Sequence, residues 1–234
     1  MKHPVFQFLF FSVFICNAQV NVSGGFGAVI SDIKGTPVVS NRNSEIEGSP
    51  FLVDTWLTGD ITLKNGAKIN NIATRLNLAT NELHIMKTEN GINTEIIVQS
   101  GSISAVTIYE SAVTGLNGRN FGIGFPAVDG FNQNTFYEII VNGPASLVKN
   151  LRKKVVEEKP FNSAVATKKF VEYENYYVFV GGKMNRYKKG KEFILQVLED
   201  KKNEIEKFLT ENRIKCRTEN DCSKVLEYYN SIID

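Results

Sequence analysis

Apolar and polar residues alternate through most of residues 56–108, which is the period of a half-buried β-strand. In DITLKNGAKI the apolar residues occupy every second position on both sides of Asn65-Gly66, a pair that favours a tight hairpin. The segments RLNLATNELHI, GINTEIIVQS and SISAVTIYE repeat the alternation. Short strands separated by turns, one about every eight to twelve residues, predict an antiparallel β meander that is either sandwich-like or an open barrel.

Downstream, further strands are predicted at Tyr137–Val141 and 145–149, followed by a hairpin through Gly181-Gly182. The apolar period then changes from two to about 3.6, which predicts three short helices. Their apolar stripes lie within 193–198, 205–209 and 225–232. Asp200 is the predicted N-cap of the second helix, and Thr218 with Asp221 forms the predicted cap of the third. We therefore expect an α+β fold, with an antiparallel β region at 48–187 and a small C-terminal helical cluster at 188–234.

The first eighteen residues, MKHPVFQFLFFSVFICNA, have the basic start, apolar run and small-residue end of a secretory signal peptide. Cys16 also suggests a lipoprotein, but the bulky Ile15 before it argues against lipid anchoring there. Residues 19–47 are predicted to form a partly ordered N-terminal arm. We expect an exported protein, periplasmic or extracellular, with no transmembrane segment after cleavage.

Charge does not indicate a nucleic-acid partner. Eight basic and eleven acidic residues lie in 19–150, and eighteen basic and fourteen acidic residues lie in 151–234. The basic run Arg152-Lys153-Lys154 is close to Glu157 and Glu158, so we interpret it as solvated surface.

Two cysteines, Cys216 and Cys222, remain after cleavage. With Thr218 as the N-cap, they lie on opposite sides of one short helix start, and a disulfide between them is feasible in an oxidising compartment. The alternative is a pair of buried thiols. Their spacing matches no metal motif.

The side-chain inventory restricts the possible chemistry. The mature chain has one histidine, His84, whose place in an alternating strand predicts that it faces solvent. A zinc site with several histidines is excluded, and no cofactor is predicted. Paired carboxylates could still act as acid and base, although their spacing does not single out any two. The candidates are Asp54, Asp60, Glu110, Asp129 and Glu138.

Between residues 111 and 135 the sequence is rich in glycine, asparagine and phenylalanine. Phe121, Phe125 and Phe131 are candidate ligand contacts, because rings on a permissive backbone suit sugars and peptides. Alternatively, all three rings fill the core from a wide connection.

Three parts of the chain carry a recognisable pattern: SPFL with Trp56-Leu57, then GDITLKNGAKINNIATRLNLATNELHI, and finally DKKNEIEKFLTENRIK with KVLEYYNSI. Together they resemble uncharacterised secreted proteins of Bacteroidota. Those proteins combine a signal peptide, a β meander and a helical tail ending in Tyr-Tyr-Asn. They have no established activity, so the resemblance implies an envelope location and no catalytic residue.

The leading hypothesis is a non-enzymatic envelope protein that binds a partner protein, a peptide or a glycan. The alternatives are a carboxylate-dependent hydrolase and a purely structural assembly partner. Trp56, the only tryptophan, is predicted to fasten the first hairpin rather than to line a site.

Overall fold

The computed structural model describes residues 35–37, 46–159 and 166–233. The predicted signal peptide and Cys16 lie outside this part of the chain, as does most of the predicted N-terminal arm. The described parts of the arm are two short strands, β1 (Gly35–Pro37) and β2 (Ile46–Glu47).

The strands that follow are β3 (Leu57–Leu63), β4 (Lys68–Asn77), β5 (Glu82–Glu89), β6 (Ile92–Val98), β7 (Ile103–Ile108), β8 (Arg119–Gly122), β9 (Tyr137–Val141), β10 (Ala145–Glu158), β11 (Thr167–Val180) and β12 (Lys183–Arg186). They form one open sheet in the order β1-β6-β5-β4-β3-β7-β8-β9-β10-β11-β12. Neighbours in this order are antiparallel, whereas β2 pairs in parallel with β11. The predicted antiparallel α+β class is confirmed.

The first predicted hairpin is confirmed, but an Asn-Gly pair predicts positive φ angles at both of its residues, and the structure shows a positive φ at one of them. Gly66 has a φ of 85°, whereas Asn65 is not among the residues with positive φ. The amide of Gly66 donates to the carbonyl of Leu63, and the Asn65 side chain accepts from the amide of Ala67. One glycine in the left-handed region is therefore sufficient to reverse the chain.

The first half of the sheet curls over the second. The amide of Lys153 in β10 donates to the carbonyl of Leu78, which follows β4. Asn81 in the β4–β5 turn donates to the carbonyl of Asn134 and accepts from the amide of Phe136. The β4–β5 turn thus lies against the segment that precedes β9.

Two main hydrophobic clusters stabilise this arrangement. The sheet core joins inward side chains of β3 to β8, such as Ile61 and Ile85, with Leu151 of β10. The helix core joins Leu147 and Val178 of β10 and β11 with side chains of the C-terminal helices. Each fully buried aliphatic side chain contributes on the order of 1.5–3 kcal/mol.

The C-terminal helices are α1 (Lys191–Val197), α2 (Lys202–Glu211) and α3 (Glu219–Ile232). The predicted Thr218 cap is confirmed, since its hydroxyl accepts from the amide of Asp221 at 3.1 Å. Asp221 in turn accepts from the amide of Arg217. The predicted Asp200 cap is wrong: α2 has Lys201 at its N-cap, without a side-chain cap, and Asp200 accepts from the hydroxyl of Tyr229. Among the described residues, no helix is both long and apolar enough to cross a membrane.

Asn230 fastens α3 to the sheet. Its side-chain amide donates to the carbonyl of Ala145 and accepts from the amide of Ala145, both at 2.8 Å. Ala145 is the first residue of β10, and β9 begins to pair with β10 only at Leu147. The Asn230 amide therefore occupies the place of a neighbouring strand. It lies so close to Gly143 that a side chain added there would collide with it.

The outer edge of β11 is only partly covered. β12 pairs with residues 177–180, and β2 pairs with Lys168 and Lys169. Between them, no strand within the described residues pairs with the outer side of residues 170–175.

Candidate functional site

The structure separates the three phenylalanines predicted to contact a ligand. Phe121 lies in β8, is 2% exposed and belongs to the sheet core. Its side chain cannot reach a ligand in this structure, so the prediction for Phe121 is corrected. Phe125 and Phe131 are half-buried in the loop that connects β8 and β9.

Phe125 and Phe131 anchor that loop to the sheet. Both rings pack edge to face on Tyr137, at centroid distances of 5.3 and 6.4 Å, and Phe131 also meets Tyr177 at 6.4 Å. We call these four residues the aromatic cluster. Its edge-to-face pairs are each worth about 0.5–1.5 kcal/mol beyond their area burial. The alternative expectation, that these rings fill the core, therefore holds for the buried side of Phe125 and Phe131, while their other side is exposed.

Burial is the main reason that the pKa of Tyr137 rises to about 12, and the nearby charge of Asp129 adds to it. Burial likewise raises the pKa of Tyr177, whose hydroxyl donates to the Asp129 carboxylate at 3.0 Å. These phenols therefore stay protonated at neutral pH, and Tyr177 fixes the position of Asp129.

The loop backbone is also well defined. Asp129 and Gly130 have φ values of 50° and 79°, and Val128 and Phe131 exchange backbone hydrogen bonds around them. Positive φ at both central positions is typical of a tight two-residue turn. We call residues 123–135 the Gly/Phe loop. Its two ends are held by the aromatic cluster and by Asn81.

A basic depression lies on one side of the Gly/Phe loop, between the loop, β12 and α1. It has a volume of about 640 Å³. Its cationic residues are Arg186, Lys188 and Lys189, and its acidic residues are Asp129 and Glu192. Its wall also includes apolar side chains, namely Val128, Met184, Phe193 and Val197. We call it the basic cleft.

A second depression lies on the other side of the loop, where the β4–β5 turn approaches it. It has a volume of about 410 Å³. Its lining is mainly polar: Thr80, Asn81, Glu82, Ser100, Gly130, Phe131, Asn132, Asn134, Thr135 and Arg152. We call it the polar recess.

Arg152 is the most distinctive residue of the polar recess. Its guanidinium carbon lies 5.2 Å from the centroid of the Phe131 ring. Among the described residues, it forms no ion pair and its guanidinium donates no hydrogen bond. The interpretation of the whole Arg152-Lys153-Lys154 run as solvated surface missed this position. Strand alternation could have separated Arg152 from Lys153, whose ammonium instead donates to the carbonyl of Phe51.

The predicted carboxylates mostly bind other parts of the protein. Glu138 is buried, receives two hydrogen bonds of 2.6 Å from Arg119 and lies 3.7 Å from Lys149. Asp60 accepts from the amide of Asn71. Buried or bridged carboxylates of this kind hold elements together.

The other predicted carboxylates show the same tendency, with one exception. Asp54 accepts from the hydroxyl of Ser49, and Asp129 lies between Tyr177 and Arg186. Glu110 lines a shallow depression of about 520 Å³ beside Arg119. The structure therefore leaves Glu110 as the candidate with the least internal bonding among the described residues.

His84 does not face solvent, contrary to the prediction. It is 4% exposed, its Nδ1 lies 2.6 Å from Glu95, and the Phe51 ring covers it edge to face at 5.2 Å. Glu95 also accepts from Arg75 at 2.7 Å. Partial burial acts to raise the pKa of Glu95, but the hydrogen bonds from Arg75 and His84 outweigh it, so the pKa is lowered.

Trp56 lies over the same cluster. The Arg75 guanidinium carbon is 3.9 Å from the Phe51 centroid and 4.4 Å from the Trp56 centroid. We call this stack the arginine sandwich. It closes the segment before β3 over β4 and β5, which supports the predicted fastening role of Trp56.

Cys216 and Cys222 are both fully buried free thiols in the structure. The predicted disulfide is therefore not formed here, and the alternative of two buried thiols describes the structure. Burial is the main cause that raises the pKa of Cys216 to about 11 and that of Cys222 to about 12.

Within residues 35–37, 46–159 and 166–233, no group of three or more His, Cys, Asp or Glu side chains could hold a metal ion.

Comparisons of the chain with protein families, with curated proteins and with solved structures find no significant match.

Proposed function

We propose that the chain is an exported cell-envelope protein that binds a ligand at the Gly/Phe loop without catalysing a reaction. The ligand is a glycan, a peptide or a partner protein. The signal-peptide pattern at 1–18 and the resemblance to secreted Bacteroidota proteins support export.

One observation carries the binding part of the proposal. The Gly/Phe loop is fixed by the aromatic cluster and by Asn81, while polar groups beside it remain available. Three side-chain groups form no hydrogen bond or ion pair with any residue that the structure describes: the Arg152 guanidinium, the Asn134 amide and the Asn132 Nδ2 atom. Because the loop is already fixed and its hydrogen-bond donors have no described protein partner, it loses little conformational entropy when a ligand binds, which favours binding.

The proposal is tested on isotopically labelled protein spanning residues 19–234. It is titrated with acidic oligosaccharides, neutral oligosaccharides and acidic peptides while backbone amide resonances are recorded. We expect at least one of these ligands to shift the resonances of residues 123–135 in a saturable manner. The proposal would be contradicted if no ligand shifted these resonances, or if the shifts occurred only outside the loop and its two depressions.

A matched pair of asparagine variants sharpens this test. Asn134→Ala removes an amide from the polar recess and should weaken binding. Asn142→Ala removes an exposed amide from the β9–β10 turn, which also lacks a hydrogen-bond partner among the described residues, and should leave binding unchanged. Export is tested by N-terminal sequencing of the protein recovered from a diderm host, with Gln19 as the expected first residue.

The part of the β11 edge that no described strand covers favours a second candidate, a structural assembly partner. Residues 170–175 present backbone groups that a strand of a second copy could pair with, and Tyr173 there is 44% exposed. Sedimentation velocity tests it: self-association that depends on concentration is expected, and a monomer at every concentration would contradict it.

A further inference from the structure

We infer that the polar recess binds a sugar residue that carries a carboxylate, and that Arg152 pairs with this carboxylate. The inference rests on the proposed binding function and names the ligand class of that site.

Arg152 is arranged to receive an anion. Its guanidinium lies over the Phe131 ring, which in turn packs on Tyr137 and Tyr177, so one face of the cation is supported by a fixed surface. The planar edge of a guanidinium carries donors that match a carboxylate in a two-point pairing. Because no described carboxylate forms an ion pair with Arg152, this pairing capacity remains for a ligand.

Other groups of the recess suit hydroxyls. The Asn134 side-chain amide, the Asn132 Nδ2 atom and the Ser100 hydroxyl make no hydrogen bond with a described residue. Glu82 supplies an acceptor, although it already accepts from the Thr80 hydroxyl. Sugar hydroxyls both donate and accept, so a set of amides, a hydroxyl and a carboxylate can satisfy several of them at once.

Glu82 also distinguishes a sugar from an acidic peptide. A ligand with carboxylates alone would gain from Arg152 but would be repelled by Glu82 in the same recess. A sugar ring with one carboxylate and several hydroxyls can place its carboxylate against Arg152 and a hydroxyl against Glu82. The volume of about 410 Å³ is at the lower end of small-molecule sites, which suits one or two sugar rings.

The experiment compares three probes on the labelled protein: a hexuronic-acid oligosaccharide, the neutral oligosaccharide of the same linkage, and a glutamate-rich peptide. We expect the uronate to bind about tenfold more tightly than the neutral sugar and to shift the Arg152 Nε–H resonance together with the Asn132 and Asn134 side-chain amides. The peptide should leave these resonances unchanged.

Variants assign the preference to Arg152. Arg152→Gln should reduce uronate affinity about tenfold, to the level of the neutral sugar, without changing the affinity for the neutral sugar. Arg152→Lys should restore part of the loss, because it keeps the charge but not the fork. Lys154→Gln is the matched control: Lys154 lies two residues further along β10, 5.5 Å from the Tyr173 ring centroid, and outside the recess. Melting temperatures of all variants show whether each remains folded.

The outcomes separate the two proposals. If the neutral sugar or the peptide shifts the loop as strongly as the uronate, or if Arg152→Gln binds uronate like the wild type, this inference is overturned while the binding function stands. If none of the probes shifts the loop, both are overturned.

Discussion

Replacing Asn230 by alanine should destabilise the protein far more than its position near the C-terminus suggests. The Asn230 amide makes two hydrogen bonds of 2.8 Å to the backbone of Ala145, a residue with 0% exposure. The variant leaves both backbone groups of Ala145 without that partner, at a cost of about 1–3 kcal/mol for each group. Because the contact is only part-buried, water offsets some of this cost, and we expect a total loss of about 2–4 kcal/mol.

Urea unfolding followed by circular dichroism measures this loss. For a chain of this size, it corresponds to a melting temperature lower by about 5–15 °C. Ser231→Ala is the control, because Ser231 is exposed and its hydroxyl donates to the carbonyl of Tyr228, three residues earlier in the same helix. The control should change stability by less than about 0.5 kcal/mol.

Asn230→Asp tests the donor separately. A carboxylate can still accept from the amide of Ala145, but it cannot donate to the carbonyl and repels it. The folded state therefore favours the protonated acid, which raises its pKa above the value of about 3.9 in the unfolded chain. The deficit relative to the wild type should be smallest below about pH 4 and should grow as pH rises through the folded-state pKa. The reasoning fails if Asn230→Ala matches the Ser231→Ala control, or if the Asn230→Asp deficit does not depend on pH.

Three further predictions concern other parts of the fold. Trp56→Ala removes one side of the arginine sandwich and should cost about 1–2 kcal/mol in urea unfolding, whereas unchanged stability would refute a fastening role. Cys216 and Cys222 should react slowly with a thiol reagent in the native protein at pH 8 and rapidly after unfolding, because burial raises their pKa values to about 11 and 12; rapid native labelling would contradict this. The pKa of Tyr137 is raised to about 12, so the stability that its protonated phenol contributes is complete below about pH 10 and is lost as pH rises towards 12. Spectrophotometric titration should therefore show a phenol that ionises well above pH 10. Ionisation of every tyrosine near pH 10 would refute this prediction.

Features with a local cause were predictable from the sequence. The hairpin at Asn65-Gly66 and the Thr218 cap depend on residues that are neighbours along the chain, and both are present. Alternation also identified most strands from β3 onward, because a half-buried sheet requires a period of two. It did not predict β8, which lies within the Gly- and Phe-rich segment, or the full length of β10, which continues from the predicted 145–149 to Glu158. Alternation cannot identify which face is covered: it predicts that His84 faces solvent, yet the segment carrying Phe51 lies over that face.

The candidate site was predictable only in part. The composition of residues 111–135 indicated the segment that contains the Gly/Phe loop. It could not indicate that Phe121 lies in β8 and is buried in the sheet core, whereas Phe125 and Phe131 lie in the loop and are half-buried. Arg152 and Asn81 reach the site only because the sheet curls, and no pattern within either segment indicates that contact. The bonds from Asn230 to Ala145 span 85 residues and likewise have no local sign.

β10 contributes to three packed regions, namely the sheet core, the helix core and the packing around the aromatic cluster. Leu151 belongs to the sheet core, Leu147 to the helix core, and Val148 packs with Tyr137 and Tyr177. The strands and the C-terminal helices are consecutive along the chain, but they share β10 as a packing partner. They are therefore not independently folding units. Loss of β10 would remove packing partners from all three regions at once, so the sheet and the helices should unfold in a single cooperative transition. An isolated C-terminal helical fragment would lack the surface that keeps it folded.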